Sequence, residues 1–351
     1  MDCRQDGAAL DASRRDFYSF NTSIAGIEEA DALLIVGSNP RREAPLINAR
    51  IRKAWLAGGL KVAAIGTEAD LTYPVEWLGE RPVVLGQVLS GSHGFAEVLK
   101  AAKRPMIIVG QGALARPDGA AMLAACWKLA AETGMLTPDW HGFNVLHTAA
   151  ARVGALDLGF LPGAGGKDLA GMLGGGVDLL WLLGADEFDT AKIGAGTFVV
   201  YQGHHGDAGA ARADVILPGA AYTEKNGTYV NTEGRVQRGQ LAVYPPAAAR
   251  EDWKILRAFS GYIDRTLPYD TLEAVRARLE AVNPVFARLD ILPRFGCTDL
   301  SGPAGEVGAL SGPPLVAAIA NYYQTDPISR ASPTMAECTR TYLPPMAQAA
   351  E

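Results

Sequence analysis

What the sequence lacks narrows it first. Its 351 residues include only four cysteines, Cys3, Cys126, Cys297 and Cys338, and no two lie within the span of a local motif. There is no C-x-x-C, so neither a zinc site nor an iron–sulfur ligand run can be read from spacing. Cysteines scattered in this way are expected to be reduced thiols of a cytosolic-type compartment. No run of about 18 apolar residues occurs, so no transmembrane helix is expected. The polar start, Met1-Asp2-Cys3-Arg4-Gln5-Asp6-Gly7, lacks the apolar centre of a secretory signal. An excess of positive charge is missing too. The net charge is −6, which argues against nucleic acid as a main partner, because phosphate binding needs a basic face.

What is present points to a packed α/β chain. Hydrophobic residues make up 48% of the sequence, too many for a disordered polypeptide, and the length suits about two domains of ~150 residues each. Ala32-Leu33-Leu34-Ile35-Val36 is a short apolar run stopped by Gly37-Ser38-Asn39-Pro40, the pattern of a parallel strand buried on both faces. A helix is predicted from about Glu43 to Ala57, with Ile47, Ile51, Ala54 and Trp55 on one stripe and Gly58-Gly59 ending it. Lys61–Gly66 then reads as a second strand, which completes a βαβ unit. The pattern repeats with a strand at Pro105–Gly110 and a helix at Asp118–Glu132, with Asp118 as its amino-terminal cap. A further helix is expected near Asn144–Ala155. After the glycine-rich breaks at 163–166 and 174–176, strands are predicted at Val177–Leu183, Thr197–Tyr201 and Ala213–Pro218. Helices are predicted at Arg250–Ile263 and Thr271–Val282. From residue 284 onward prolines recur, including Pro293, Pro303, Pro313, Pro314, Pro344 and Pro345, and the expectation is an extended tail packed on the body or on a neighbour, with a partly disordered tail as the alternative. The division read from this pattern is 1–165 and 166–283 as two α/β lobes, with 284–351 as the tail.

Four segments could carry chemistry. Gly110-Gln111-Gly112-Ala113-Leu114-Ala115 matches a G-x-G-x-x-A dinucleotide fingerprint after a strand, but Pro117 and Asp118-Gly119 interrupt where its helix should run. Gly37-Ser38-Asn39-Pro40 sits at the carboxyl end of a strand, where α/β proteins bind ligands; it could equally be a plain turn. His204-His205 with Asp207 suggests a metal, yet adjacent histidines on an extended loop are expected to point apart. No histidine neighbours a cysteine in sequence, so Cys–His catalysis has no local support. The stretch from Tyr222 to Gln237 combines the Asn226-Gly227 turn signal with a short strand near Thr228–Asn231 and dense polarity. That suits a ligand surface or an interface.

These last residues carry a family resemblance. Ala213–Gln237, ADVILPGAAYTEKNGTYVNTEGRVQ, resembles the signature of molybdopterin oxidoreductases, and Ala30–Trp55 resembles the same family's Gly-x-Asn-Pro turn. Phe20–Arg41, Glu43–Trp55, Leu71–Gly79, Tyr201–Lys225, Ala249–Ser260, Thr266–Leu279 and the tail Thr325–Cys338 narrow the likeness. Together they resemble the large iron–sulfur subunit of proton-pumping NADH:quinone oxidoreductase, respiratory complex I. The resemblance implies a molybdopterin-oxidoreductase-like α/β fold, with two Rossmann-like lobes, mainly parallel sheets and an irregular C-terminal tail. It implies that the complete subunit holds 4Fe-4S and 2Fe-2S clusters, and that the partners are other peripheral-arm subunits. It places the chain on the cytoplasmic or matrix side of the membrane without direct insertion. The cluster-binding cysteine motifs are missing here, so a fragment or split subunit with a structural job is expected, with no catalytic residue, no metal and no cofactor of its own. Gly37, Ser38, Asn39, Asn231, Glu233 and Arg235 mark where a pterin cradle would lie, as relic positions. The alternatives are a segment of a true molybdopterin-dependent oxidoreductase, which would need a metal-ligating residue at the mouth, and an NAD-binding module using Gly110–Ala115.

Overall fold

The computed structural model describes residues 1–292, 296–308, 310 and 312–343. The tail prolines Pro293, Pro344 and Pro345 lie outside the described residues.

The first sheet begins with four strands: β1 (Ala32–Val36), β2 (Lys61–Ile65), β3 (Glu76–Gly79) and β4 (Pro105–Val109). A small hairpin, β5 (Leu136–Thr137) and β6 (Trp140–His141), leads into β7 (Phe143–Val145). The sheet runs β3-β2-β1-β4-β7 and every pairing in it is parallel. β1 lies at its centre, with Ala32 opposite both Lys61 and Pro105. Because strand side chains alternate, Leu34, Val36, Ile65, Ile107 and Val109 join one core, which includes Phe17, Trp127 and Phe143. Leu33, Ile35, Val62, Met106 and Ile108 join a second core, which includes Ile47 and Ile51. All five residues of β1 and of β4 are buried, as a parallel sheet covered on both faces requires.

The helix expected from Glu43 to Ala57 is two elements, a single turn Pro40–Glu43 and the helix Pro45–Leu56. The break falls at Ala44 (φ −151°), because the residue before a proline is pushed out of the helical region. The helix expected near Asn144–Ala155 is a correction of a different kind. Residues 143–145 form β7, and helix appears only at Arg152–Asp157. The Asn144 amide donates to the Ile107 and Gly142 carbonyls at 3.1 and 3.0 Å and accepts from Thr22 N at 2.8 Å. That network holds the segment extended. Asp118 precedes the helix Gly119–Glu132 as predicted, but its carboxylate pairs with Arg116 instead of capping.

The second sheet has three parallel strands, β8 (Leu179–Leu183), β9 (Phe198–Gly203) and β10 (Val215–Pro218), in the order β10-β9-β8. An antiparallel hairpin, β11 (Gly227–Val230) and β12 (Val236–Gly239), reaches back so that Val230 and Val236 bury in the first core. Helices Asp252–Tyr262 and Leu272–Val282 follow. Beyond them the described residues are irregular except for the turn Pro284–Ala287 and the short helices Pro327–Arg330 and Pro333–Tyr342. Among the described residues, no helix is long and apolar enough to cross a membrane.

Candidate functional site

After β1 the chain moves to one side of the sheet, through β2 and β3, and after β4 to the other, ending at β7. The carboxyl ends of β1 and β4 therefore border a topological switch point, the place where open parallel sheets bind ligands. The loops meeting there are Gly37-Ser38-Asn39 and Gly110-Gln111-Gly112. Gly37 has φ +62°, a conformation that favours glycine, and a Cβ on it would collide with the backbone nitrogen of Ala113. The two loops are thus pressed together at the spot a pyrophosphate would need. The expected dinucleotide fingerprint also lacks its helix. Residues Gln111–Leu114 make one turn, and the long helix begins only at Gly119.

The tail lies over this crevice. Leu315 is fully buried; its N–H donates to the Glu80 carbonyl at 2.7 Å, and its carbonyl accepts from Thr67 Oγ1 at 3.3 Å. Arg116 Nη2 donates to the Pro313 carbonyl at 2.9 Å, and Arg42 Nη1 to the Ala320 carbonyl at 3.3 Å. A Cβ on Gly112 would collide with the Val316 carbonyl, so glycine here serves the close approach of the chain's own tail. Glu43 ties loop and tail together. Its carboxylate accepts from Ser38 Oγ at 2.6 Å, Asn39 N at 3.1 Å and Ala318 N at 3.2 Å. Burial nevertheless pushes its pKa up, against the lowering effect of these three bonds.

The other relic positions sit at the β11–β12 turn. Asn231 Oδ1 accepts from Arg235 N at 2.8 Å, and Asn231 Nδ2 donates to Glu233 Oε1 at 3.3 Å. Glu233 Oε2 accepts from Ile24 N at 2.8 Å, and Arg235 Nη1 donates to the Asp290 carbonyl at 3.0 Å. These side chains fasten the hairpin to the amino-terminal segment, and none of these bonds reaches the Gly37–Asn39 loop. Of the six positions, Asn39 keeps a buried side-chain atom, Oδ1, without a hydrogen-bond partner. The tail thus crosses one half of the cradle, and the side chains of the other half bond to neighbouring backbone. The cysteines do not fit a cluster. Among the described residues, the close group of metal-type ligands contains a single cysteine.

That group is a feature sequence spacing could not reveal. Asp16, His141 and Cys297 come from three remote segments, and their ligand atoms all lie within 4.8 Å of one another. Cysteine and histidine, separated everywhere in sequence, thus meet in space. The adjacent histidines are a second surprise. His204 and His205 do not point apart; their Nδ1 atoms lie 2.8 Å from each other. The loop curls back so that the His205 carbonyl accepts from the Tyr201 hydroxyl at 3.0 Å, and Asp207 caps the turn that follows. Burial, then the charge of His205, lowers the His204 pKa.

A doubly flanked parallel sheet with a switch-point crevice, Gly-x-Asn-Pro at its mouth and the Asn-x-Glu-Gly-Arg hairpin beside it defines a class, and the chain belongs to it: the molybdopterin oxidoreductase family, whose model matches residues 1–262. A second model, for the C-terminal region of the G subunit of NADH-ubiquinone oxidoreductase, matches residues 298–338. Individual relatives agree. The chain is 46% identical to the mitochondrial NADH-ubiquinone oxidoreductase 78 kDa subunit of Neurospora crassa, over 93% of this chain and 44% of that protein. It is 44% identical to the corresponding 78 kDa subunit of Candida albicans, over 97% of this chain and 47% of that protein. The G subunit of the Rickettsia conorii NADH-quinone oxidoreductase is also 44% identical, over 94% of this chain and 47% of that protein. The chain thus spans less than half the length of each of these relatives.

Proposed function

We propose that this chain is the α/β portion of the large subunit of an NADH:quinone oxidoreductase, and that its job there is to brace. The observation that carries this reading is the strap of tail laid across the crevice. The tail segment Pro313–Asn321 lies across the switch point, and it falls within the residues similar to the C-terminal region of the G subunit. A family fold whose ligand crevice is crossed by its own chain is suited to serve as a scaffold. No residue is assigned a catalytic role. Gly37, Ser38, Asn39, Asn231, Glu233 and Arg235 remain relic positions, and iron–sulfur clusters belong to the region that the longer relatives have in addition. The partners are the other peripheral-arm subunits, on the cytoplasmic side of a bacterial inner membrane or the matrix side of a mitochondrial one. The working division is 1–165 and 166–283, with 284–351 as the tail, the β11–β12 hairpin reaching from the second part into the first core.

The test is co-expression of the tagged chain with the cluster-binding region and the other peripheral-arm subunits. The expected result is co-purification with the arm. The chain alone, after treatment with iron and sulfide and then reduction, should give no low-temperature paramagnetic cluster signal. A chain that elutes alone, or that retains molybdenum and a pterin chromophore and turns over, would overturn the reading.

A further inference from the structure

We propose that Asp16, His141 and Cys297 form a binding site for a divalent cation of zinc type, which staples three remote segments together. Asp16 lies in the turn Arg15–Phe17, His141 in β6, and Cys297 in the chain after residue 296. The donor set is one carboxylate oxygen, one imidazole nitrogen and one sulfur, which suits zinc better than the oxygen-seeking magnesium or calcium.

The spacing suits a shared ion. Asp16 Oδ2 and His141 Nε2 are 3.5 Å apart. Two ligands held at about 2.0–2.1 Å from zinc at tetrahedral angles lie about 3.4 Å apart. The three groups are also positioned before any metal arrives. The His141 side chain is 2% exposed and that of Asp16 17%, while Cys297 is buried. The Cys297 N–H donates to the Thr137 carbonyl at 2.8 Å, at the hairpin that carries His141. The Asp16 carbonyl accepts from Asn21 Nδ2 at 2.7 Å. The Trp127 indole packs against the His141 ring with centroids 6.1 Å apart. Ligands locked by packing and by outer hydrogen bonds are what metal sites need.

Charge also balances. Arg14 pairs with Asp16 and, at 3.0 Å, with Asp299. With Cys297 as thiolate, three negative groups face one guanidinium, and a divalent cation brings the cluster to neutrality. Binding displaces the thiol proton, as thiolate ligation of a metal requires. The three side chains leave a fourth position for water.

The experiment is a titration of the metal-stripped full chain with cobalt(II), followed by zinc competition and elemental analysis. The expected result is stoichiometric cobalt with tetrahedral visible bands and a thiolate charge-transfer band, both abolished by zinc. Cys297→Ser should remove the charge-transfer band and weaken binding by at least roughly tenfold. Asp16→Asn should weaken binding while keeping the band, and Cys338→Ser should change neither. No stoichiometric binding by the unaltered chain, which does not depend on any variant folding, would overturn the proposal. So would a charge-transfer band that survives Cys297→Ser. The proposal is independent of the bracing role, because metal binding is read on the chain alone and assembly on the complex.

Discussion

The two parallel sheets are built from strands of nearly equal hydrophobicity and end up in different surroundings. β1 reads Ala-Leu-Leu-Ile-Val and is buried at every position; β8 reads Leu-Leu-Trp-Leu-Leu and buries only Leu180 and Leu182. Two cores flank the larger sheet, one on each face. In the smaller sheet a single core takes Leu180, Leu182, Val199 and Tyr201. On its other face, Trp181 meets Phe259 of the helix Asp252–Tyr262 at 4.9 Å. Leu179, Leu183 and Phe198 remain 49%, 41% and 46% exposed. Apolar composition therefore specifies a strand, while the number of covering layers decides what each residue contributes.

The sharpest way to break this comparison is a matched truncation. Leu34→Ala should cost about 2–5 kcal/mol, because it empties a fully buried position. Leu183→Ala should cost less than about 1 kcal/mol, since much of that side chain already meets water. Urea midpoints at constant slope measure both, and equal losses would abolish the distinction.

Next comes the close contact between the larger sheet's Gly112 loop and the tail. Gly112→Val should cost about 1–3 kcal/mol through overpacking against the Val316 carbonyl. The strap around residues 313–321 should then be cut by protease well before the strands. A strap as resistant as in the unaltered chain would mean that it is not held against Gly112 in solution.

The pH response sharpens the comparison further. His147 follows β7, and burial pushes its pKa down from 6.5 to about 4. A depressed histidine is neutral in the fold and protonates more readily when unfolded. Its contribution is therefore complete above pH 6.5 and is lost as pH falls towards 4. The loss should be roughly 1–3 kcal/mol, and it should flatten in His147→Gln when unfolding is followed across that range. Glu43 works in the opposite direction. Its raised pKa favours the fold at low pH, and that contribution fades as pH rises through the folded value. Glu43→Gln should remove that slope.

The smallest effect belongs to the smaller sheet. Arg330 lies 2.5 Å from Asp207, 3.5 Å from Asp186 and 3.7 Å from Glu187, and ties the last helices to the segments that follow β8 and β9. The guanidinium is partly exposed, so Arg330→Ala should cost only about 1 kcal/mol, shrinking in high salt. A cost that is independent of salt would point to lost packing instead.

Much of the fold was legible along the chain. Buried strands announce themselves as short apolar runs with glycine stops, and Ala32–Val36, Pro105–Val109 and Leu179–Leu183 are strands. Periodicity misled at Asn144, where an amide network outweighs the apolar pattern, and at Ala44, where the following proline breaks what looked like one helix. The glycine motifs were legible too, but their meaning was not. Gly37 and Gly112 are small because backbone and tail approach them, and no local pattern distinguishes that approach from a phosphate's.

By itself the sequence determined the element order, the family and the lack of any local cysteine motif, because these depend on neighbours along the chain. Tertiary structure alone decided that the tail crosses the switch point, that His204 and His205 turn towards each other, and that Asp16, His141 and Cys297 converge. Those outcomes depend on which remote segments share a volume. Chain packing sets that, and residue spacing carries no trace of it.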